Sequence, residues 1–175
     1  MPLPFFTIGH STRPIPAFVD LLRAGQVVLV VDVRTVPRSR TNPQYNEDVL
    51  GESLAPYQIG YTRIPELGGL RKRVREVPDE VNGWWDNRSF HNYADHTLSD
   101  DFARGLDQLI ALGRERRLAT MCSEAVWWRC HRRIIADHLL ARGEEVFHLM
   151  GDDRVEPAKL TPAARADGEI VTYPA

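Results

Sequence analysis

Apolar residues in this chain gather in short β-rich runs separated by amphipathic stretches, the pattern of parallel strands joined by helices. Strands are predicted over Pro4–Ile8, Val27–Val33, Ile59–Ile64, Leu118–Met121 and Val146–Leu149. The run VVLVVDV is apolar without alternation, as a strand covered on both faces must be, which places it near the centre of a sheet. Three helices are read from the longer period. PIPAFVDLLRAG opens on prolines, presents Phe18, Val19, Leu21 and Leu22 on one face and stops at Gly25. SDDFARGLDQLIALG starts from a Ser99 cap followed by Asp100 and Asp101, with Phe102, Leu106, Leu109 and Ile110 at helical spacing. The third sets Ile134, Ile135, His138 and Leu139 inward and ends at Gly143.

These elements predict one doubly wound α/β domain over residues 1–175, with a mostly parallel five-stranded sheet in the order 3-2-1-4-5 and helices on both faces. Between about residues 66 and 98 the periodicity fades into glycine, charge and aromatics, so an inserted excursion with at most a short helix is expected there. From about residue 151 the chain is polar and proline-dotted and is expected to lie over the surface, with one helical turn near Thr161.

Composition narrows the classes. A net charge of -2 over 175 residues argues against a protein that coats nucleic acid by bulk charge, so any basic site must be local. Two cysteines are too few for a disulfide framework, and MPLPFFTIGH lacks the basic region and long apolar run of a secretion signal. No stretch is long and apolar enough to span a bilayer. A cytoplasmic protein without a membrane partner is therefore expected; nothing in the pattern sets an oligomeric state.

The third helix changes the picture. A helix N-terminus carries partial positive charge and favours acids, yet Arg129, His131, Arg132 and Arg133 crowd this one. In an open parallel sheet, ligands bind outside the carboxyl ends of the strands. That edge gathers His10 and Ser11 after the first strand, Asp32, Arg34 and Ser39 after the second, Gly68 and Gly69 after the third, and Cys122 and Glu124 after the fourth.

The ordered motifs TIGHS, DVRTVPRS, LGG and CSEAVWWRCHRR, extended by IADHLLARG, resemble the domain-of-unknown-function family 488 over about three quarters of the chain. The resemblance implies a Rossmann-like α/β domain and no particular reaction. Its signature falls on His10, Ser11, Asp32, Arg34, Pro37, Ser39, Gly68, Gly69, Cys122, Glu124, Cys130, His131 and Arg132.

Read for chemistry, the same residues offer several constellations. Arg34, Arg132 and the start of the third helix form a candidate anion site, with Ser11, Ser39, Gly68, Gly69, Cys130 and His131 as further ligand contacts. The rival is internal pairing of those arginines with Asp32 and Glu124. Glu124 and Asp32 are candidates for proton transfer or charge stabilisation, and His10 is an alternative base or a structural histidine. Cys122, at a strand end facing arginines, is either a nucleophile or a buried strand residue. The loop after it holds Trp127 and Trp128 and no glycine, which argues against the anion-wrapping loop of a cysteine phosphatase. No cofactor is predicted. Zinc or iron on Cys122, Cys130 and His131 is the alternative, against which stand the unusual spacing and the surrounding arginines. Trp84, Trp85, Phe90, Tyr93, Trp127 and Trp128 could stack on a base or simply pack. The expected function is an enzyme acting on a phosphate-bearing nucleotide or nucleic acid, a hydrolase or transferase. The alternatives are a non-catalytic nucleotide or nucleic-acid sensor and a metal-binding protein.

Overall fold

The computed structural model, which describes residues 2–152 and 154–175, is a mixed α/β structure built on a six-stranded, mostly parallel sheet. In chain order the elements are β1 (Phe5–Gly9), α1 (Ile15–Ala24), β2 (Leu29–Asp32), α2 (Glu47–Leu54), β3 (Gly60–Arg63), α3 (Arg88–His96), α4 (Asp100–Glu115), β4 (Leu118–Cys122), α5 (Arg132–Ala141), β5 (Val146–Met150), β6 (Arg154–Pro157), β7 (Arg165–Asp167) and β8 (Ile170–Thr172). All five predicted strands are present, with ends within two residues of those expected.

The strand order is β3-β2-β4-β1-β5-β6, which corrects the expected 3-2-1-4-5. β4 slots between β2 and β1, pairing Val30 with Ala119 and Phe6 with the same Ala119 from the other side. β1 and β4 are both buried along their whole length, so local pattern could not tell which of them lay beside β2. The sixth strand, β6, runs antiparallel to β5.

Side chains along each strand alternate between two cores. Phe5, Leu29, Val31 and Leu118 face α3, α4 and α5, whereas Phe6, Ile8, Val30, Ala119 and Met121 face α1 and α2. Helices thus cover both faces, which is why β2 needed no polar side. Each fully buried Leu or Phe in these layers contributes about 1.5–3 kcal/mol. Local signals set the helix starts. Ser99 Oγ accepts from the Phe102 amide at 3.2 Å to open α4, and Asn87 Oδ1 accepts from the Ser89 amide at 2.9 Å to open α3. At α5 no side-chain cap and no first-turn acid is found.

The tail is a second correction. It forms β6 and the β7–β8 hairpin rather than a helical turn, and near Thr161 the chain makes only a tight turn closed by Ala164 N donating to Thr161 O. Val171 and Tyr173 are fully buried, and the Tyr173 hydroxyl donates to Asp137 Oδ2 at 2.7 Å. Those two residues fasten the tail to α5.

Candidate functional site

The connections after β1 and β2 pass to helices on one face of the sheet, and those after β3 and β4 pass to the other. Since β4 lies between β1 and β2, the chain diverges at the carboxyl ends of these three strands and leaves a crevice. A cleft of about 760 Å³ occupies that place. The loop after β1 supplies His10 and Ser11, the loop after β2 Arg34 and Ser39, and the loop after β3 Gly69. β4 and the loop after it supply Cys122 and Glu124, and the start of α5 supplies Cys130 and His131. Asp32, Gly68 and Arg132 do not line the cleft; they stand behind it.

Close backbone approach makes the crevice narrow at its base. A Cβ on Gly9 would lie 1.6 Å from the Glu124 carbonyl oxygen, so only glycine lets β1 meet the loop after β4. His10 N then donates to Cys122 O at 2.9 Å and Ser11 N to Ser123 O at 3.0 Å. Ser11 itself takes the left-handed conformation at φ 48°, which a non-glycine residue holds only where its surroundings over-determine it.

Asp32 and Arg34 form a clamp. Arg34 Nε donates to Asp32 Oδ1 at 2.9 Å and Nη2 to Oδ2 at 2.7 Å, while the Tyr61 hydroxyl donates to Oδ2 at 2.6 Å. Nη2 also donates to the Tyr45 carbonyl at 2.7 Å. Asp32 is 0 % and Arg34 6 % exposed. Of the two readings of these arginines, internal pairing thus holds for Arg34. Burial would lower the Arg34 pKa, but its hydrogen bonds and charge pairing with Asp32 outweigh that and raise it. The remaining Nη1 donates to His10 Nε2 at 3.3 Å. His10 Nδ1 in turn donates to Ser11 O at 2.8 Å, and its ring stacks on Tyr45 with centroids 4.2 Å apart. Burial holds the imidazole neutral, below its usual pKa, with both nitrogens engaged.

Arg132 is the largest fully buried side chain. Its Nη1 donates to Thr7 Oγ1 at 3.2 Å, and Nη2 donates to the carbonyls of Glu124 at 3.0 Å and Ala125 at 3.2 Å. No carboxylate pairs with it among the described residues, so the rival reading of an ion pair with the Glu124 side chain does not hold for Arg132. Arg132 therefore shapes the loop rather than facing a ligand. Glu124 is exposed and lines the cleft. Two rim arginines, Arg38 and Arg129, also line the cleft, are exposed, and form no ion pair with a described residue.

The two cysteines are free and buried, and they differ. Burial pushes the Cys122 thiol up, and its Sγ donates to Glu124 O at 3.7 Å. For Cys130, burial is outweighed by the neighbouring Cys122 thiol and by the charge and amide of Arg132, so its pKa is lowered. Among the described residues, no group of three or more His, Cys, Asp or Glu side chains is disposed to hold a metal ion.

Ser39 proves to be a turn residue: its amide donates to Asn46 Oδ1 at 2.7 Å and its Oγ accepts from the Asn42 amide at 2.9 Å. Gly68 leaves room for Thr35, whose Oγ1 accepts from Leu70 N at 2.8 Å. Sequence reasoning missed Tyr45 and Tyr61. Tyr61 reaches Asp32 because Arg63 pairs opposite Asp32 and Tyr61 shares its face two residues back, a register that alternation within β3 alone does not give. Tyr45 sits in a short turn with no periodic signal.

The aromatic excursion forms one wall. Phe90 lines the cleft and stacks on Trp85 with centroids 4.8 Å apart, and the Arg133 guanidinium lies 5.2 Å from the Trp85 ring. No helix among the described residues is long and apolar enough to cross a membrane. In comparison with known proteins, a family model described as a domain of unknown function, DUF488, matches residues 14–139. No curated protein and no solved structure matches the chain.

Proposed function

This chain belongs to the DUF488 family, and from that premise we propose that it is an enzyme whose cleft takes a phosphate-bearing nucleotide or nucleic-acid substrate. The observation that carries the reading is the state of the cleft's charges. Arg34 is neutralised by Asp32, but Arg38 and Arg129 line the cleft and form no ion pair with a described residue. Guanidinium groups lining a concave site favour phosphate, which they can grip through two parallel N–H bonds. The Phe90–Trp85 stack beside them supplies a flat apolar face of the kind a base occupies. Glu124, exposed and unpaired at the strand end, is the carboxylate free for acid/base work. Asp32 and His10 act by holding Arg34 in place.

Binding of a fluorescent single-stranded oligonucleotide and of a labelled mononucleotide, each followed against salt, tests the reading. A steep decline for the oligonucleotide is expected, with a slope that falls by about 0.7 for each of Arg38→Ala and Arg129→Ala that removes a phosphate contact. Binding unaffected by both substitutions refutes the anion site. Glu124→Gln should retain binding and lose turnover. A second reading, a sensor without chemistry, is favoured by the engagement of Asp32 and both nitrogens of His10 in fixed hydrogen bonds; it predicts unchanged function in Glu124→Gln.

A further inference from the structure

Cys130 and His131 are adjacent in sequence, and consecutive side chains on a helix diverge by about 100°. Here they stand just before the first turn of α5. Cys130 is extended, and the imidazole folds back until its Nδ1 lies 3.4 Å from Cys130 Sγ. The other ring nitrogen, Nε2, donates to the Val33 carbonyl at 2.7 Å, which leaves Nδ1 without a proton and able to accept one. The ring is held by what surrounds it. A Cβ on Gly69 would come within 2.3 Å of Nδ1, and Tyr93 meets the ring at 63° with centroids 4.9 Å apart. The second glycine of the LGG motif is thus the space into which this histidine fits.

We propose that Cys130 is the nucleophile of the cleft and His131 the base that takes its proton, an assignment that rests on the reading of the cleft as an active site. Nucleophile, base and a third group orienting the base are the parts such a pair requires. The Arg132 amide donates to Cys130 Sγ at 3.5 Å, and the Arg132 guanidinium is a buried cation with no carboxylate partner among the described residues. A thiolate at Cys130 is favoured by both. Cys122, the other candidate nucleophile, is held as a neutral thiol by burial and donates to the Glu124 carbonyl. Burial likewise keeps His131 neutral, and the bond from its Nε2 to Val33 O leaves Nδ1 as the unprotonated nitrogen facing the sulfur.

The electrophile is assigned as a carbon, because the loop from Ser123 to Arg129 contains two tryptophans and no glycine to wrap a phosphoryl group around the sulfur. In the step, the S–H proton passes to His131 Nδ1 and the sulfur electron pair forms a bond to an acyl carbon of the substrate. The bond from that carbon to its leaving oxygen or nitrogen then breaks, and the leaving atom takes the proton from Nδ1. Water hydrolyses the resulting thioester and restores the thiol. The phosphate, on Arg38 and Arg129, serves as the handle.

Alkylation with iodoacetamide, followed by intact mass and peptide mapping on the whole chain, tests this without a substrate. At neutral pH Cys130 should be labelled before Cys122, as expected for the thiol whose pKa is lowered beside one whose pKa is raised. Cys122→Ser should keep that labelling and Cys130→Ser should lose it. His131→Asn and Gly69→Ala should slow labelling at neutral pH and recover it at alkaline pH, where the thiolate forms unaided. Should His131→Asn fail to fold, the wild-type pH profile decides, since its midpoint must fall below that of free cysteine at about 8.5. Labelling of Cys122 first, a midpoint at or above free cysteine, or a His131→Asn rate equal to wild type overturns the assignment. Fast labelling in a protein that binds no nucleotide would sink the phosphate reading alone, and tight nucleotide binding with slow labelling would sink the nucleophile alone.

Discussion

Replacing Asp32 with Asn keeps the shape of the side chain and removes its charge from beneath Arg34. In the native structure that carboxylate receives two guanidinium bonds, the Arg34 amide at 3.0 Å and the Tyr61 hydroxyl. The amide nitrogen of Asn would point a donor at donors, whichever oxygen it replaced, and would leave a cation that is 6 % exposed without its partner. Breaking one side of such a buried pair costs about 3–5 kcal/mol. For a chain of this size, each kcal/mol moves the melting midpoint by about 2–4 °C, so a fall of about 6–20 °C is expected. Urea unfolding followed by tryptophan fluorescence gives the free energy directly. Most of the loss is the penalty of a stranded charge, so Asp32→Asn combined with Arg34→Met should be more stable than Asp32→Asn alone. A single variant within about 1 kcal/mol of wild type, or a double variant no better than the single, would refute the clamp and return Asp32 to the list of free acids.

Acidification should destabilise the protein well before its carboxylates titrate. Burial lowers the pKa of both His138 and His148 to about 3, and His10, His96 and His131 shift the same way. Below the unfolded value of about 6.5 the unfolded chain takes up protons that the folded chain refuses. Stability is therefore full above that pH and falls by about 1.4 kcal/mol per pH unit for each such histidine until its folded pKa is reached; equal urea midpoints at neutral pH and near pH 5 would contradict this. Tyr173→Phe removes the hydroxyl that bonds Asp137 Oδ2. It should cost about 1–3 kcal/mol and expose the tail to limited proteolysis, and a tail as resistant as wild type would show that Tyr173 is not its fastening.

The fold was legible wherever burial imposed a period. Phe18, Val19, Leu21 and Leu22 on α1, and Phe102, Leu106 and Leu109 on α4, are all buried as their spacing required. Neighbour relations were not legible, because which strand lies beside β2 depends on long-range pairing that leaves no trace in a five-residue run such as FFTIG or LATMC. The short strands of the tail carried too few apolar residues to register, although Val171 and Tyr173 were the two that mattered. For the site, strand ends told which residues gather but not which way each group points. Arg132 and Arg34 have the same chemistry in sequence. One holds backbone carbonyls behind the loop and the other holds a carboxylate at the cleft wall, a difference set by Thr7, Tyr45 and Tyr61 on separate elements.

Arg132 has one more consequence, and it concerns time. Its side chain starts in α5 and ends on the carbonyls of Glu124 and Ala125 and on the hydroxyl of Thr7, more than a hundred residues earlier in the chain. The curve of the loop that presents Glu124 is therefore not a property of that loop. A nascent chain that has completed β4 but not seated α5 would possess the strands of the cleft without the guanidinium that holds the loop after β4, so the cleft takes its shape only once α5 docks.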